Sequence, residues 1–332
     1  MTHLRVGVVG AGLIAGIHVD AYTATPGAEV VAVADQVSEK AHQLAARVGA
    51  TPVPDLARML DLGLDAVSIC TPPRSHAELT VTALEAGLSV LCEKPIARTL
   101  DDGRRMLAAA GVAPGLLMIG HVSRFDPDHR KAKDVIDAGQ LGEVTMMSHS
   151  MTTSMPEWSE GDWLSDPELS GGPVVDLAIH AFDFLAWVAG SVPIRVHAVG
   201  RDTASGPTTY ALATVRYASG ALSLVETSWG HPASRGFKLA VELIGTGGRL
   251  SWDYDQISGG ALHRQQVPST WFSPIGERGY RAEIARFVEA ARAGGPSPVP
   301  ASEALTSLRT SLATLESVRS GKVIDLTTWG IR

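Results

Sequence analysis

Residues 4–15 read LRVGVVGAGLIA, a β-branched run that breaks into Gly10-Ala11-Gly12 and then continues at helical spacing. The pattern is GxGxxA at a strand-to-helix handover, and each small residue has a physical reason to be there. Gly10 permits the tight turn, and Gly12 lets the backbone approach a pyrophosphate. Ala15 is small enough for helix to pack on strand. Leu13 and Ile14 open a helix whose N-terminal amides face the phosphate charge. Asp35 ends the next apolar run and stands 20 residues after Ala15, the spacing at which a carboxylate reaches the adenosine ribose hydroxyls. Its charge repels a 2′-phosphate, and Gln36 beside it supplies no cation. The loop therefore predicts a dinucleotide site for NAD, with NADP disfavoured.

Outward from this loop, short apolar strands alternate with helical patterns as far as residue 120. Strands are expected at 29–34, 66–70, 89–92 and 116–120, with helices between them. Ser38 is expected to cap the second helix, and Thr99 to cap the one whose first turn carries Asp101 and Asp102. Such alternation implies a parallel sheet covered on both faces, a doubly wound Rossmann domain over residues 1–121. His18 and His42 lack a comparable context and read as helix-surface or satisfied histidines. The rest of the chain, 122–332, has a different texture. All seven tryptophans fall from Trp158 onward, and strand-like runs separated by turn signals such as Ser219-Gly220 fill residues 195–254. Antiparallel hairpins are expected among these runs, with helices on either side of them.

Bulk properties narrow the function. A net charge of −7 without a basic cluster disfavours nucleic acid, and no apolar run reaches the ~18–20 residues of a membrane span. Cys70 and Cys92 alone make neither a disulfide framework nor a CxxC metal pair, so no metal is expected. The chain reads as soluble and cytoplasmic.

Two further groups carry chemistry. Glu93-Lys94-Pro95 follows a parallel strand at the carboxyl edge, where doubly wound sheets bind ligands, and a lysine there reaches ribose and substrate oxygen. Asp176 and His180, four residues apart on a helix expected over 174–189, project from one face. A carboxylate one turn from an imidazole favours the protonated ring after proton abstraction, as in a base with its orienting partner. Neighbours as apolar as VVDLAIHAF make such a pair costly unless it lines a cleft.

These residues stand within seven ordered segments that resemble the glucose–fructose oxidoreductase, inositol dehydrogenase and rhizopine-catabolism (Gfo/Idh/MocA) oxidoreductases. They are GVVGAGLIAGIH (7–18), ICTPPRSHAEL (69–79), CEKPIA (92–97), GHVSRFDP (120–127), GGPVVDLAIHAFDFLAWVAG (171–190), IGTGGRL (244–250) and LESVRSGKVIDL (315–326). The resemblance implies a Rossmann domain, a C-terminal α+β domain over 122–332 that binds substrate on an open, mostly antiparallel sheet, and a homodimer or homotetramer formed through that sheet. It implies a catalytic Lys94, with Asp176 and His180 as its acid–base partners. Thr71, Pro72, His76, Glu93 and His121 take positions that touch or flank the cofactor, and Arg124 falls with His121 at the domain junction. One departure is Trp163-Leu164 where many members carry Trp-Arg, together with Pro173 in place of a third glycine. Trp163 remains a candidate to pack on a sugar ring, beside Arg124, Lys94, Asp176 and His180 as substrate contacts. The expected activity is hydride transfer between NAD and a secondary alcohol of a sugar, cyclitol or related polyol. A redox-neutral glycosidase or epimerase with recycled NAD, and a ligand-sensing regulator without turnover, are the alternatives.

Overall fold

The computed structural model describes residues 3–156, 163–203, 206–254 and 277–331. Two units divide the chain: Met1–Asp126 with Glu277–Leu305, and Pro127–Gly276 with Thr306–Arg332.

In the first unit the expected alternation forms: β1 (Leu4–Val9), α1 (Leu13–Thr23), β2 (Ala28–Ala34), α2 (Ser38–Ala46), β3 (Thr51–Val53), α3 (Leu56–Leu60), β4 (Ala66–Ile69), α4 (His76–Glu85), β5 (Ser89–Glu93), α5 (Leu100–Ala110) and β6 (Leu117–Gly120). The strands make one six-stranded parallel sheet in the order β3-β2-β1-β4-β5-β6. This is the doubly wound order in which chain direction across the sheet reverses beside β1. Thr99 caps α5 as expected, accepting the Asp102 N–H at 3.1 Å. Ser38 does not cap α2. The cap is the extended Val37, and Ser38 is already the first helical residue. No side chain caps α2, and the Val37 N–H itself goes to Asp35 Oδ1 at 2.8 Å, a turn that leads the chain from β2 into the helix.

The core of this unit joins Val6 and Val8 of β1 to Val19 and Tyr22 of α1. A late helix, α10 (Glu277–Ala293), returns to it, contributing Ile284, Phe287 and Val288 at i, i+3, i+4 spacing. Each such fully buried side chain stabilises the fold by about 1.5–3 kcal/mol relative to exposure.

The second unit holds α6 (Pro127–Asp137), β7 (Val144–Thr152), α7 (Pro167–Ser170), α8 (Gly172–Asp176), α9 (Ala178–Ala189), β8 (Pro193–Thr203), β9 (Gly206–Tyr217), β10 (Leu222–Ser228), β11 (Lys238–Gly245), β12 (Gly248–Asp253) and β13 (Ile324–Asp325). Their seven strands lie in the order β12-β11-β7-β10-β9-β8-β13. Every neighbouring pair is antiparallel except β7 with β10. The expected single helix over 174–189 is two, α8 and α9, interrupted at Leu177.

The stretch Gly172–Ala189 is long and apolar enough for a membrane span, with a mean hydropathy of 1.4, which corrects the expectation that no run has such length. It is 78% buried inside the protein, so its apolar character serves the core. Phe184 of α9 sits edge-on to His129 of α6 at 4.3 Å and to Trp252 of β12 at 6.2 Å. Trp187 lies under the cations of Arg130 and Lys133 at 5.8 and 5.6 Å.

Alternation along the strands leaves the other face of the sheet open. Met146 pairs with Leu222, Ser148 with Leu224, and Leu212 with Val199, all on that face. Met146, Leu222, Leu224 and Val199 are exposed.

Candidate functional site

At the carboxyl edge of the parallel sheet, the segments leaving β1 and β4 diverge from the point where strand order reverses. Gly10 is buried there with φ +96°, and a Cβ on it would lie 2.7 Å from the Cys70 carbonyl oxygen after β4. Its N–H donates to Ala34 O at 2.8 Å, tying the loop to the end of β2. Gly12, the residue before α1, is the opposite case, since a Cβ there would meet nothing within 4 Å. No side chain caps α1, and no acidic residue occupies its first turn. An open cradle at Gly12, closed by uncapped helical amides, is the arrangement a pyrophosphate fits.

Asp35 is half-buried at the end of β2. Its Oδ2 accepts the Ala11 N–H at 2.8 Å while Oδ1 holds Val37. The carboxylate thus shapes the glycine loop, with the exposed Gln36 beside it. Leu13 is exposed and Ile14 half-buried, flanking the cradle. The donor set and the open backbone fit NAD.

Further along the same edge, Thr71 follows β4, and its hydroxyl accepts from Ser75 Oγ at 2.8 Å. Pro72 is exposed beside it. His76 is fully buried at the start of α4, bridging two segments: Nε2 lies 2.8 Å from Thr71 O and Nδ1 2.9 Å from Pro95 O. Burial is the main cause that holds its pKa below the ordinary imidazole value.

Lys94 follows β5, half-buried, and its bond to Pro95 is cis. Glu93, the last residue of β5, is turned inward. Its Oε1 lies 2.9 Å from His18 Nε2, and its Oε2 accepts the Lys94 N–H at 3.2 Å. Burial opposes its ionisation, but the hydrogen bond and charge of His18, aided by Lys94, hold its pKa below the usual value. His121 follows β6 and is buried. Arg124 is buried too, and its guanidinium meets Glu303 at 2.6 Å.

His18, satisfied by Glu93 and Ser68, therefore belongs to the site's foundation, whereas His42 is a surface histidine bonded to Ser38 O. Sequence reasoning missed Ser68, Tyr22 and Glu283 behind Glu93. The one available signal was that His18 and Tyr22 share the helical stripe of Ala15 and Val19.

In the second unit, Asp176 ends α8 half-buried, and His180 lies in the first turn of α9, 8% exposed. Between them, Leu177 keeps a tight turn: its N–H reaches Pro173 O at 3.0 Å, and its own O accepts the His180 N–H at 3.2 Å. Thr227 of β10 also donates to Pro173 O, at 3.2 Å, pinning the start of α8 to the sheet. Pro173 thus occupies a first-turn position where its missing N–H costs nothing. Trp163 is half-buried in the turn before α7, and Trp158 lies outside the described residues.

Comparison with known proteins gives a consistent picture. Residues 4–121 match the model of an oxidoreductase family with an NAD-binding Rossmann fold, and residues 129–251 match the GFO/IDH/MocA C-terminal domain. The chain is 31% identical to inositol 2-dehydrogenase 4 of Saccharopolyspora erythraea over 88% of this chain and 86% of that protein. It is 32% identical to D-glucoside 3-dehydrogenase of Escherichia coli over 68% and 70% of the two chains. Among solved structures, GenD2 from gentamicin A biosynthesis, in complex with NAD, superposes with a TM-score of 0.86 at 27% identity, covering 98% of this chain and 97% of that one.

Proposed function

Because the chain belongs to the Gfo/Idh/MocA family of NAD-binding oxidoreductases, which act on CH–OH groups, we propose that its substrate is a secondary alcohol of a sugar, cyclitol or related polyol. Gly12 and the uncapped N-terminus of α1 would hold NAD, which would supply the acceptor or donor for the carbinol hydride. The remaining chemistry belongs to the side chains. His180 takes the hydroxyl proton, and Asp176 orients the ring and favours its charged form. Lys94 donates to the reacting oxygen, where negative charge develops. Arg124 and Trp163 contribute to substrate recognition. Ketone reduction uses the same groups with His180 as acid.

The observation that carries this reading is the gathering of Gly12, Asp35 and Lys94 at the carboxyl edge of one parallel sheet. A lysine in that position stands on the dinucleotide side of the sheet. The inositol and glucoside dehydrogenases among the relatives support a polyol or sugar substrate. The exposed Met146, Leu222, Leu224 and Val199 on the open face of the second sheet support self-association of the chain there, as a homodimer or homotetramer.

The test is a screen of NADH formation over inositols, pyranoses and glycosides, followed by Lys94→Ala and His180→Ala. Both variants are expected to lose turnover while NAD affinity stays within about tenfold, 1.4 kcal/mol. Near-normal turnover in both refutes the assignment.

A further inference from the structure

Behind Lys94 the first unit buries three titratable side chains in one cluster: His18 of α1, Glu93 of β5 and Glu283 of α10, with ligating atoms all within 4.8 Å of one another. None is more than 6% exposed. His18 and Glu93 are mutually satisfied, and the second ring nitrogen, Nδ1, lies 3.2 Å from Ser68 Oγ, which Tyr22 holds at 2.8 Å. Glu283 differs. Both of its carboxyl oxygens are buried without a hydrogen-bond partner among the described residues.

Two ionised carboxylates beside one imidazole would leave an uncompensated negative charge in the core, which is costly. Among the described residues, the other groups facing the cluster do not cancel it. Tyr22 on α1 and Cys70 after β4 are pushed up, chiefly by burial, and stay neutral, while Tyr280 on α10 sets its aromatic ring 5.8 Å from that of His18. Lys94 is the nearby cation, and it acts on Glu93. Either a proton or a bound cation must balance Glu283.

The geometry favours the proton. An ionised Glu93 only accepts, so His18 Nε2 carries a hydrogen toward Oε1, and the other oxygen already takes the Lys94 N–H. A metal would have to displace that imidazole hydrogen. On the remaining side β6 closes in, since a Cβ on Gly120 would lie 3.1 Å from Glu93 Oε1. Burial, then the charge of Glu93, drive the Glu283 carboxyl well above the usual carboxylate range.

We propose that Glu283 carries a proton at neutral pH and, as a neutral acid beside the Glu93–His18 pair, is a positioning residue for Lys94; this deepens the reading of Lys94 as catalytic and rests on it. Were Glu283 ionised, its repulsion would drive Glu93 from the Lys94 N–H and free the peptide that carries the lysine.

The experiment compares wild type, Glu283→Gln and Glu283→Ala. Infrared difference spectra at pH 7 should show the carbonyl stretch of a protonated carboxylic acid in the wild type and not in Glu283→Gln. Loss of the wild-type band, or one equivalent of divalent metal in the purified protein, overturns the proposal. The folded state holds this proton where the unfolded chain has released it, so wild-type stability falls as pH rises above the ordinary carboxylate value. The limit is about tenfold in the folding equilibrium per pH unit. Glu283→Gln lacks that contribution, and identical pH slopes overturn the assignment.

For positioning, the wild-type kcat should fall about tenfold or more at alkaline pH as Glu283 ionises, with KM for NAD nearly unchanged, while Glu283→Gln and Glu283→Ala, neutral throughout, should lack that alkaline loss. An alkaline limb of kcat in both variants identical to that of wild type refutes the positioning role. The infrared and stability measurements need no turnover, so they remain decisive should the polyol dehydrogenase reading itself fail.

Discussion

Replacing His76 with alanine tests how the loops flanking Lys94 are held. Both ring nitrogens face backbone carbonyls, Thr71 O at 2.8 Å and Pro95 O at 2.9 Å, and carbonyls only accept. The neutral ring has one N–H and satisfies one of them. The imidazolium would satisfy both, but burial first, and then the Lys94 charge, disfavour it. His76→Ala removes one net hydrogen bond, worth about 0.5–1.5 kcal/mol, and leaves a buried carbonyl unsatisfied at about 1–3 kcal/mol. The expected loss is about 1.5–4.5 kcal/mol, or roughly 3–18 °C in Tm for a unit of this size. The pH dependence has a definite sign. The folded ring stays neutral where the unfolded ring gains a proton, so stability falls as pH drops below about 6.5, by at most about 1.4 kcal/mol per unit. His76→Ala should flatten that acid limb. Thermal melts between pH 5 and 8 measure both effects. A variant that melts within about 2 °C of wild type at pH 7 and keeps the same acid slope refutes the bridge.

Asp35→Ser should shift the ratio of kcat/KM for NAD and NADP at least about tenfold toward NADP, because the charge facing a 2′-phosphate is gone; an unchanged ratio removes Asp35 from the ribose site. Gly10 and Gly12 should part company. Gly10→Ala forces a side chain into φ +96° and onto the Cys70 carbonyl, and should cost more than about 2 kcal/mol in stability. Gly12→Val meets open space at Cβ, so Tm should hold while the NAD Kd, read by titration, rises more than about tenfold. Leu224→Glu on the open sheet face should leave the melting temperature near wild type and convert the assembly to monomers in light scattering, and an unaltered assembly would exclude that face.

The features legible in the sequence are local ones. The glycine loop, Asp35 and the Thr99 cap announce themselves because their partners lie within one strand–turn–helix unit. Three features have no local signature. β3 is three residues long and contains Pro52, too short for periodicity to register. The break at Leu177 lies inside an apolar run where each neighbour suits a helix, and what ends α8 there is a turn closed on Pro173, itself fixed by Thr227 on a distant strand. The parallel pairing of β7 with β10 depends on which strand the sheet places beside which, and alternation within a strand carries no such information.

The site shows the same division more sharply. Ala15, His18, Val19 and Tyr22 recur at i, i+3, i+4 and i+7, so the sequence already sets His18 on the core face of α1. A histidine on a core face is a demand for partners, because burying an unsatisfied imidazole is costly. The chain answers with Ser68 from β4 and Glu93 from β5, and then buries Glu283 against the pair from a helix that returns only after the whole second sheet has been built. No spacing rule links residues so far apart in sequence. The demand was legible and the answer was not, and the answer lies directly behind Lys94. A buried polar side chain on the core stripe of a site-forming helix thus points toward the foundation of that site, even when its partners are unknown.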